Sequence, residues 1–241
     1  MTTAKTYRFS YADGSRELEA FVAYPSSPIA LPTPVVLVAH AWYGQDSFAR
    51  EKAEMLAGLG YIGMALDVYG KGRHGSTAEE GSALMTPWVK DRAALRTRLM
   101  AAVMTARELE GADAARVGVI GFCFGGLCAL DLARANAPGV KAVVAFHGLF
   151  FPPDLGHQGP ITARILALHG YDDPMAKPEL MVSFMNELTA AQADWQLHAY
   201  GSTSHAFTNP AANDADNGLV FRPQSATRAF QAMENFLRET L

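Results

Sequence analysis

The stretch GFCFG, residues 121–125, places a cysteine between two glycines where a strand-like run gives way to a helix-like run. Residues 117–122 are short, apolar and rich in β-branched side chains, whereas residues 126–135 carry apolar side chains at helical spacing. The central residue of such a sharp turn takes a strained backbone conformation, so the residues two before and two after it must be small. The pattern predicts that Cys123 is a nucleophile at a helix N-terminus, whose dipole favours a thiolate.

A cysteine nucleophile needs a base, and the base needs an acid that orients it. HGYDDP supplies Asp172 and Asp173, and SHAFTNP supplies His205, each after a predicted strand. The order nucleophile, acid, histidine is that of α/β-hydrolases. As alternatives, either aspartate could cap the next helix, and the histidine could simply be solvated. Because the three features occur together at strand ends, we predict that His205 accepts the proton of Cys123.

The elements that must position these side chains alternate along the chain. Apolar strand-like runs alternate with helix-like runs, which predicts a mostly parallel eight-stranded sheet with helices on both faces. Two opening runs joined by ADGS predict a hairpin that adds an antiparallel edge. The strand-like runs are KTYRFSY, LEAFVAYP, PVVLVAH, YIGMALDVY, RVGVIGF, VKAVVAFHG, RILALHG and WQLHAYG. Helices are predicted over 46–59, 87–109, 124–135, 177–192 and 223–241, and long loops over 70–85 and 202–222.

Composition narrows the class of protein. Of the 241 residues, 49% are hydrophobic, which is enough for a large core, and the alternation without a clear linker favours a single domain over 1–241. A formal net charge of −4 gives no electrostatic basis for binding nucleic acid or an anionic membrane. We find no signal peptide and no apolar run near the length of about 18 residues that a membrane span needs.

Cysteine and histidine usage predicts a chain without disulfide or metal. The two cysteines, Cys123 and Cys128, are five residues apart and should point to different faces, which fits free thiols in a reducing, cytoplasmic location. Cys128 is expected to be a small buried hydrophobic residue. The other histidines, His157 among them, show no metal-binding spacing, so we expect no metal and no cofactor.

Taken together, GFCFGG, HGYDDP and SHAFTNP resemble the dienelactone hydrolase family, whose enzymes hydrolyse esters and lactones through a Cys-Asp-His triad. VVLVAHAWYG resembles that family's loop after the third strand, and GYIGMALDVYGKG resembles its next strand and loop. The similarity extends from about Glu19 to the C-terminus. In the family the acid is the fourth residue of G-x-x-D. The resemblance therefore implies the α/β-hydrolase fold and a triad of Cys123, Asp173 and His205, with Asp172 as a neighbour.

Two positions depart from the family pattern. Ala41 stands where archetypal members have a glutamate that contacts the resting thiol. Asn209 stands where they have an arginine that grips the substrate carboxylate. We therefore expect a small-molecule ester or lactone as substrate, with neutral compounds preferred unless Arg73 or Arg96 supplies the missing charge.

The expected mechanism is a two-step acyl transfer through a thioester on Cys123. The backbone N–H groups of Trp42 and Phe124 are expected to bind the oxyanion. Candidate pocket residues, at or just past strand ends or at the family's carboxylate-binding position, are Tyr43, Tyr69, Phe124, His147, Phe207 and Asn209.

Two other classes of function are compatible with the sequence. One is a binding protein that keeps the fold without catalysis, which the complete triad argues against and a chromogenic short-chain ester assay would test. The other is a redox sensor with a low-pKa Cys123, for which Cys128 is a poorly placed resolving partner. We expect a monomer or a weak homodimer.

Overall fold

An eight-stranded sheet forms the centre of the computed structural model, which describes residues 4–156 and 159–241, so that His157 lies outside it. The spatial order is β1-β2-β4-β3-β5-β6-β7-β8. β1 pairs antiparallel with β2, and β2 with β4, whereas the other neighbours are parallel. The strands are β1 (Lys5–Asp13), β2 (Arg16–Tyr24), β3 (Thr33–Ala39), β4 (Ile62–Ala65), β5 (Ala112–Phe122), β6 (Val140–Phe146), β7 (Arg164–Gly170) and β8 (Trp195–Tyr200). The predicted hairpin edge and mostly parallel sheet are confirmed.

Helices cover both faces of this sheet. Those in the described part of the chain are α1 (Ser47–Gly58), α2 (Ala78–Lys90), α3 (Arg92–Arg107), α4 (Phe124–Arg134), α5 (Pro178–Ala190) and α6 (Pro223–Thr240). The buried side chains of α3, α4 and α5 join Val35 and Leu37 in one core, and those of α1 and α6 join Val36 and Val38 in the other. Successive strand residues point to opposite faces, so the fully apolar β3 contributes to both cores. The predicted α/β-hydrolase arrangement is confirmed.

The predicted loop over 70–85 is wrong in its second half, because α2 begins at Ala78. The side chain of Thr77 accepts a hydrogen bond from the N–H of Glu80, and the Glu80 carboxylate accepts one from the N–H of Ser76. This reciprocal cap satisfies donors at a helix start that would otherwise lack partners. The T-x-x-E spacing is the sequence signal for it.

The predicted single helix over 87–109 is wrong, because two helices meet there. At Asp91 the backbone leaves the helical region, with φ −115° and ψ 81°. Its carboxylate accepts a hydrogen bond from the N–H of Ala94 at 2.9 Å. Asp91 therefore ends α2 and caps α3.

Among the described residues, no helix has the length and apolarity needed to cross a bilayer.

The carboxyl ends of the parallel strands meet at one edge of the sheet. Ala39 is paired with Gly121, Phe122 with Phe146, and Gly170 with Tyr200. The loops that follow these residues consequently share one end of the molecule, where ligands of open parallel sheets bind. The long loop predicted over 202–222 contains a small antiparallel hairpin of β9 (Asn213–Asp214) and β10 (Leu219–Val220).

The turn between β5 and α4 leaves no space for a side chain at either flanking glycine. A Cβ atom on Gly121 would lie 1.9 Å from the carbonyl oxygen of Gly125, and one on Gly125 would lie 2.0 Å from that of Ala39. Both contacts are with backbone, so no side-chain movement relieves them. Between them Cys123 has φ 55° and ψ −115°. The predicted strained turn with small flanking residues is confirmed.

We expect Gly125→Ala to lower the free energy of unfolding by about 1–3 kcal/mol or more, because the added methyl group forces α4 and β3 apart. Gly58→Ala is the matched control: a Cβ there meets nothing within 4 Å, and an alanine in a helix is favoured over glycine by roughly 0.5–1 kcal/mol. Denaturant unfolding followed by circular dichroism compares the two variants. Wild-type stability in Gly125→Ala would contradict the close backbone approach.

Candidate active site

Cys123 lies at the N-terminus of α4 and is partly exposed. Its N–H donates to the carbonyl of Phe146 at 3.1 Å, and its own carbonyl accepts from the N–H groups of Gly126 and Leu127 at 2.9 and 3.3 Å. The side chain caps no helix N–H, and both cysteines are free. The backbone is thus held firmly, while the sulfur remains available at the positive end of a helix dipole.

His205 and Asp173 form a buried pair in the neighbouring loops. Nδ1 of His205 donates to Oδ2 of Asp173 at 2.7 Å, and both side chains are at most 1% exposed. The other carboxylate oxygen of Asp173 accepts from the N–H of Met175 at 2.8 Å. Asp172 is exposed, and its N–H donates to the carbonyl of Thr203. Of the two candidate acids, Asp173 is therefore the one in contact with the histidine.

Two neighbours set the charge of His205. Burial lowers the pKa of this histidine, but the interactions with Cys123 and Asp173 outweigh burial and raise the pKa to about 10. The ring is consequently an imidazolium at neutral pH. Nδ1 is engaged by Asp173, and Cys123 is the other side chain whose interaction with the ring raises the pKa of His205. The imidazolium is therefore a proton donor next to the sulfur.

The loop that carries His205 is held by the small hairpin that follows it. The carbonyl of His205 accepts from the N–H of Val220 at 3.1 Å, and that of Phe207 accepts from the N–H of Arg222 at 3.1 Å. Thr203 shares a hydrogen bond with Ser225 of α6, with the two hydroxyl oxygens 2.8 Å apart. These contacts fix the imidazole against the strand ends although the loop itself is long.

His147 packs edge-on against His205, with ring centroids 4.9 Å apart. Its Nε2 is hydrogen-bonded to the hydroxyl of Thr208 at 2.9 Å. Burial lowers the pKa of His147 well below its usual value, and the positive charge of His205 lowers it further. His147 is therefore a neutral ring that confines the imidazolium of His205 without competing for its charge.

His169 is a buried neighbour of the acid that sequence reasoning missed. Its Nε2 donates to the carbonyl of Ala176 at 2.9 Å, and its Nδ1 lies 3.9 Å from Oδ2 of Asp173. Burial lowers the pKa of His169, so this ring is also neutral. Its sequence signal is its position one residue before the end of the buried strand β7.

Most of the predicted pocket residues lie behind the site surface. The four that are at most 3% exposed are Tyr69, Phe124, His147 and Phe207. Tyr69 stacks on Phe124 with ring centroids 6.0 Å apart, and Phe207 meets His147 edge-on at 5.4 Å. Contact between these rings and a substrate would require that packing to open. Tyr43 and Asn209 are partly exposed and offer surface directly.

The two N–H groups predicted to bind an oxyanion, those of Trp42 and Phe124, have no acceptor among the described residues. The Phe124 N–H directly follows Cys123, and Trp42 lies in the loop after β3. That loop is packed against the start of α4, since a Cβ on Gly125 would lie 2.7 Å from the carbonyl oxygen of His40. Two donors without an acceptor among the described residues thus occur on adjoining segments of the chain.

The two arginines considered as substitutes for the family arginine lie in different places. Arg96 lines a cavity of about 230 Å³ with Asp131, Arg134 and Asn136. That cavity is beside the C-terminal half of α4, roughly 15 Å along the helix from Cys123, so the suggestion that Arg96 reaches the site is wrong. Arg73 donates to the carbonyl of Tyr69 at 3.3 Å, in the loop after β4 at the site's end of the sheet.

Asn209, at the family's arginine position, is held in a local turn. Its side-chain oxygen accepts from the N–H of Ala211 at 3.0 Å, and its N–H donates to the carbonyl of Ala206 at 2.9 Å.

In residues 4–156 and 159–241, no group of three or more His, Cys, Asp or Glu side chains could hold a metal ion.

Comparison with known proteins gives consistent similarities. The model of the dienelactone hydrolase family matches residues 18–241. A "Putative carboxymethylenebutenolidase" of Yersinia pestis is 29% identical over 230 residues, covering 90% of this chain and 82% of the relative. A "Probable 2-oxo-3-(5-oxofuran-2-ylidene)propanoate lactonase" of Bradyrhizobium sp. is 26% identical over 245 residues, covering 97% and 95%.

A solved structure is also closely similar. It is described as the dienelactone hydrolase-like promiscuous phosphotriesterase P91 from metagenomic libraries. The two chains are 32% identical, 99% of each is covered, and the TM-score is 0.91.

We expect Asp173→Asn to lower the pKa of His205 from about 10, because the variant removes the carboxylate that hydrogen-bonds to the imidazolium and stabilises its charge. In the wild type the ring loses its proton as pH rises through about 10, and in the variant it does so at lower pH. Asp172→Asn is the matched control and should leave the titration unchanged. NMR titration of ¹³C-labelled histidine measures both. A shift with Asp172→Asn alone would reverse the assignment of the acid.

Proposed function

Because the chain belongs to the dienelactone hydrolase family, we propose that it hydrolyses ester and lactone bonds with Cys123 as its nucleophile. The observation that carries the proposal is the buried pair of His205 and Asp173, 2.7 Å apart, beside a sulfur at a helix N-terminus. A thiolate paired with an imidazolium is both a strong nucleophile and a proton donor for the leaving group. The names of the Yersinia and Bradyrhizobium relatives support this class of reaction.

In the acylation step the thiolate of Cys123 attacks the carbonyl carbon and forms a C–S bond. The carbonyl oxygen becomes negative and accepts hydrogen bonds from the N–H groups of Trp42 and Phe124. Collapse of this intermediate breaks the C–O bond, and the Nε2 proton of His205 passes to the departing alkoxide. A thioester and a neutral imidazole remain.

In the deacylation step neutral His205 takes a proton from water while the water oxygen attacks the thioester carbon. Collapse of the second oxyanion breaks the C–S bond, releases the acid and restores the thiolate and imidazolium. Asp173 accepts a hydrogen bond from the Nδ1–H of His205 throughout, so it orients the ring and stabilises its positive charge. A lactone follows the same steps, with alcohol and acid released as one hydroxy acid.

The sulfur of Cys123 has His205 as its charged neighbour. The family's gating glutamate is replaced by Ala41, which carries no charge. We propose that the imidazolium of His205, whose pKa is raised to about 10, activates Cys123 without such a glutamate.

A neutral substrate suits the site better than an anionic one. Asn209 offers hydrogen bonds but no charge, and Arg73 is the remaining nearby candidate for a cation. The lactone in the name of the Bradyrhizobium relative carries a carboxylate, whereas phosphotriesters, the substrates in the description of P91, are neutral. Phosphotriester hydrolysis by the same thiolate is therefore a second candidate activity for this chain.

The two rival readings of the sequence are less well supported. Cys128 is fully buried, and burial raises the pKa of its thiol well above the usual value, which makes it a poor redox partner for Cys123. A buried histidine and aspartate pair next to Cys123 suits catalysis better than binding alone. We propose a single catalytic domain over 1–241, and the predicted cytoplasmic location and monomeric or weakly dimeric state stay predictions.

We expect Cys123→Ala to reduce hydrolysis of a short-chain aryl ester by about 10³-fold or more while leaving the fold intact, because only one partly exposed sulfur atom is lost. Cys128→Ala is the matched control. It should keep most activity but lose about 1 kcal/mol of stability, since it opens space in the core. Iodoacetamide should alkylate Cys123 alone, as read by mass spectrometry. Near wild-type turnover in Cys123→Ala would refute the nucleophile assignment.

We expect a neutral lactone to have a higher kcat/KM than a carboxylate-bearing lactone of similar size, because Asn209 supplies no charge at the position where the family has an arginine. Asn209→Arg should raise kcat/KM for the anionic lactone by roughly ten- to hundredfold and leave the neutral one unchanged. A wild-type preference of tenfold or more for the anionic lactone, abolished by Arg73→Gln, would instead assign carboxylate binding to Arg73.

A further inference from the structure

His40 directly follows β3, is 1% exposed, and uses both ring nitrogens to bind backbone. The N–H of Val68 donates to its Nε2 at 3.2 Å, and its Nδ1 lies 2.7 Å from the carbonyl oxygen of Ala41. An N–H can only donate and a carbonyl can only accept. The lone pair is therefore on Nε2 and the proton on Nδ1, so the two contacts select one neutral tautomer. Burial lowers the pKa of His40, which keeps the ring neutral.

The carbonyl that His40 holds belongs to the same peptide group as the Trp42 N–H. A peptide group is planar and trans, so its C=O and N–H point in opposite directions. A ring that binds the Ala41 oxygen on one side necessarily turns the Trp42 N–H to the other. That N–H has no acceptor among the described residues.

We propose that His40 is a positioning residue that aims the Trp42 N–H at the developing oxyanion through the carbonyl of Ala41. This inference rests on the proposed function, because it needs a negative oxygen to form beside Cys123. His40 acts through one peptide group and donates nothing to the substrate. His40 therefore stabilises the transition state, in which the oxyanion exists, and does not contribute to substrate binding.

The donor and the acceptor that His40 contacts are themselves held in place. The carboxylate of Asp67 accepts the N–H groups of Tyr69 and Gly70, both at 2.9 Å, which fixes the loop that presents Val68. The ring of His40 meets that of Tyr69 edge-on, with centroids 4.8 Å apart.

The loop after β3 has further anchors on its carbonyls. The Tyr69 hydroxyl donates to the carbonyl of Trp42 at 3.0 Å, and the N–H of Gly75 donates to that of Tyr43 at 2.9 Å. The Ala41 carbonyl has a second donor, the N–H of Gly44, at 3.2 Å. The shorter contact comes from His40, so loss of this ring should loosen the Ala41–Trp42 peptide without unfolding the loop.

Three substitutions separate the hydrogen bond to Ala41 from the volume of the ring. His40→Asn can place an amide N–H near the position of Nδ1, because both atoms are bonded to Cγ. His40→Gln places its polar atoms near Nε2 instead, and His40→Leu fills space without any donor. We expect kcat for an aryl ester to fall about 10²-fold in the Gln and Leu variants, with KM little changed, and to stay within about tenfold of wild type in His40→Asn.

Alkylation of Cys123 by iodoacetamide supplies the control reaction. The thiolate displaces iodide from a saturated carbon, so a C–S bond forms, a C–I bond breaks and no oxyanion appears. The alkylation rate should therefore be unchanged in all three variants, and circular dichroism should show the wild-type fold. A residue that merely supports the core would lower both rates together and would rank the variants by size, with His40→Asn worst.

The positioning role is overturned if turnover and alkylation fall in parallel, if KM rises while kcat holds, or if folded His40→Leu turns over like wild type. If Cys123→Ala keeps full ester turnover, the proposed function itself fails, whatever the His40 variants do. If His40→Leu does not fold, the comparison of His40→Asn with His40→Gln still tests the proposal.

Discussion

The active end of this molecule depends on backbone packed directly against backbone. At Gly121 and Gly125 an added Cβ would meet carbonyl oxygens at 1.9 and 2.0 Å, so the turn that carries Cys123 fits only because both positions lack side chains. One of those oxygens belongs to Ala39, at the end of β3. The same close approach that accompanies the strained backbone of Cys123 packs the end of β3 and the start of the following loop against the start of α4. The proposed nucleophile and the proposed oxyanion-binding loop therefore depend on the same packing.

The histidines of the site differ in pKa, so that His205 is charged while its buried neighbours are neutral. Desolvation disfavours a charged imidazole in each case, and at His205 the interactions with Cys123 and Asp173 outweigh it. His147 and His169 lie beside it and stay neutral, because a second positive ring would be both buried and repelled. A neutral ring in one tautomer can still orient a peptide group through hydrogen bonds, and this is the role we infer for His40.

Local signals made much of the fold predictable, and their limits explain the errors. The buried strands are continuous apolar runs, and the glycines around Cys123 indicate a sharp turn. The start of α2 was missed although Thr77 and Glu80 carry a capping pattern, because glycines and serines around them favour a loop. The break between α2 and α3 at Asp91 was not predicted, because an aspartate that caps a helix and one that is merely exposed look alike in sequence.

The sequence by itself determined the alternation of strands and helices outside the α2–α3 region, the turn at Cys123 and the candidates for acid and base, because these follow from local residue types and periodicity. Only the tertiary structure decided that Asp173 contacts His205 while Asp172 faces solvent, and that Arg96 lies at the wrong end of α4. It also decided the tautomer of His40, through Val68. Such outcomes depend on distances between segments far apart in the chain, and the pairing of strands sets those distances.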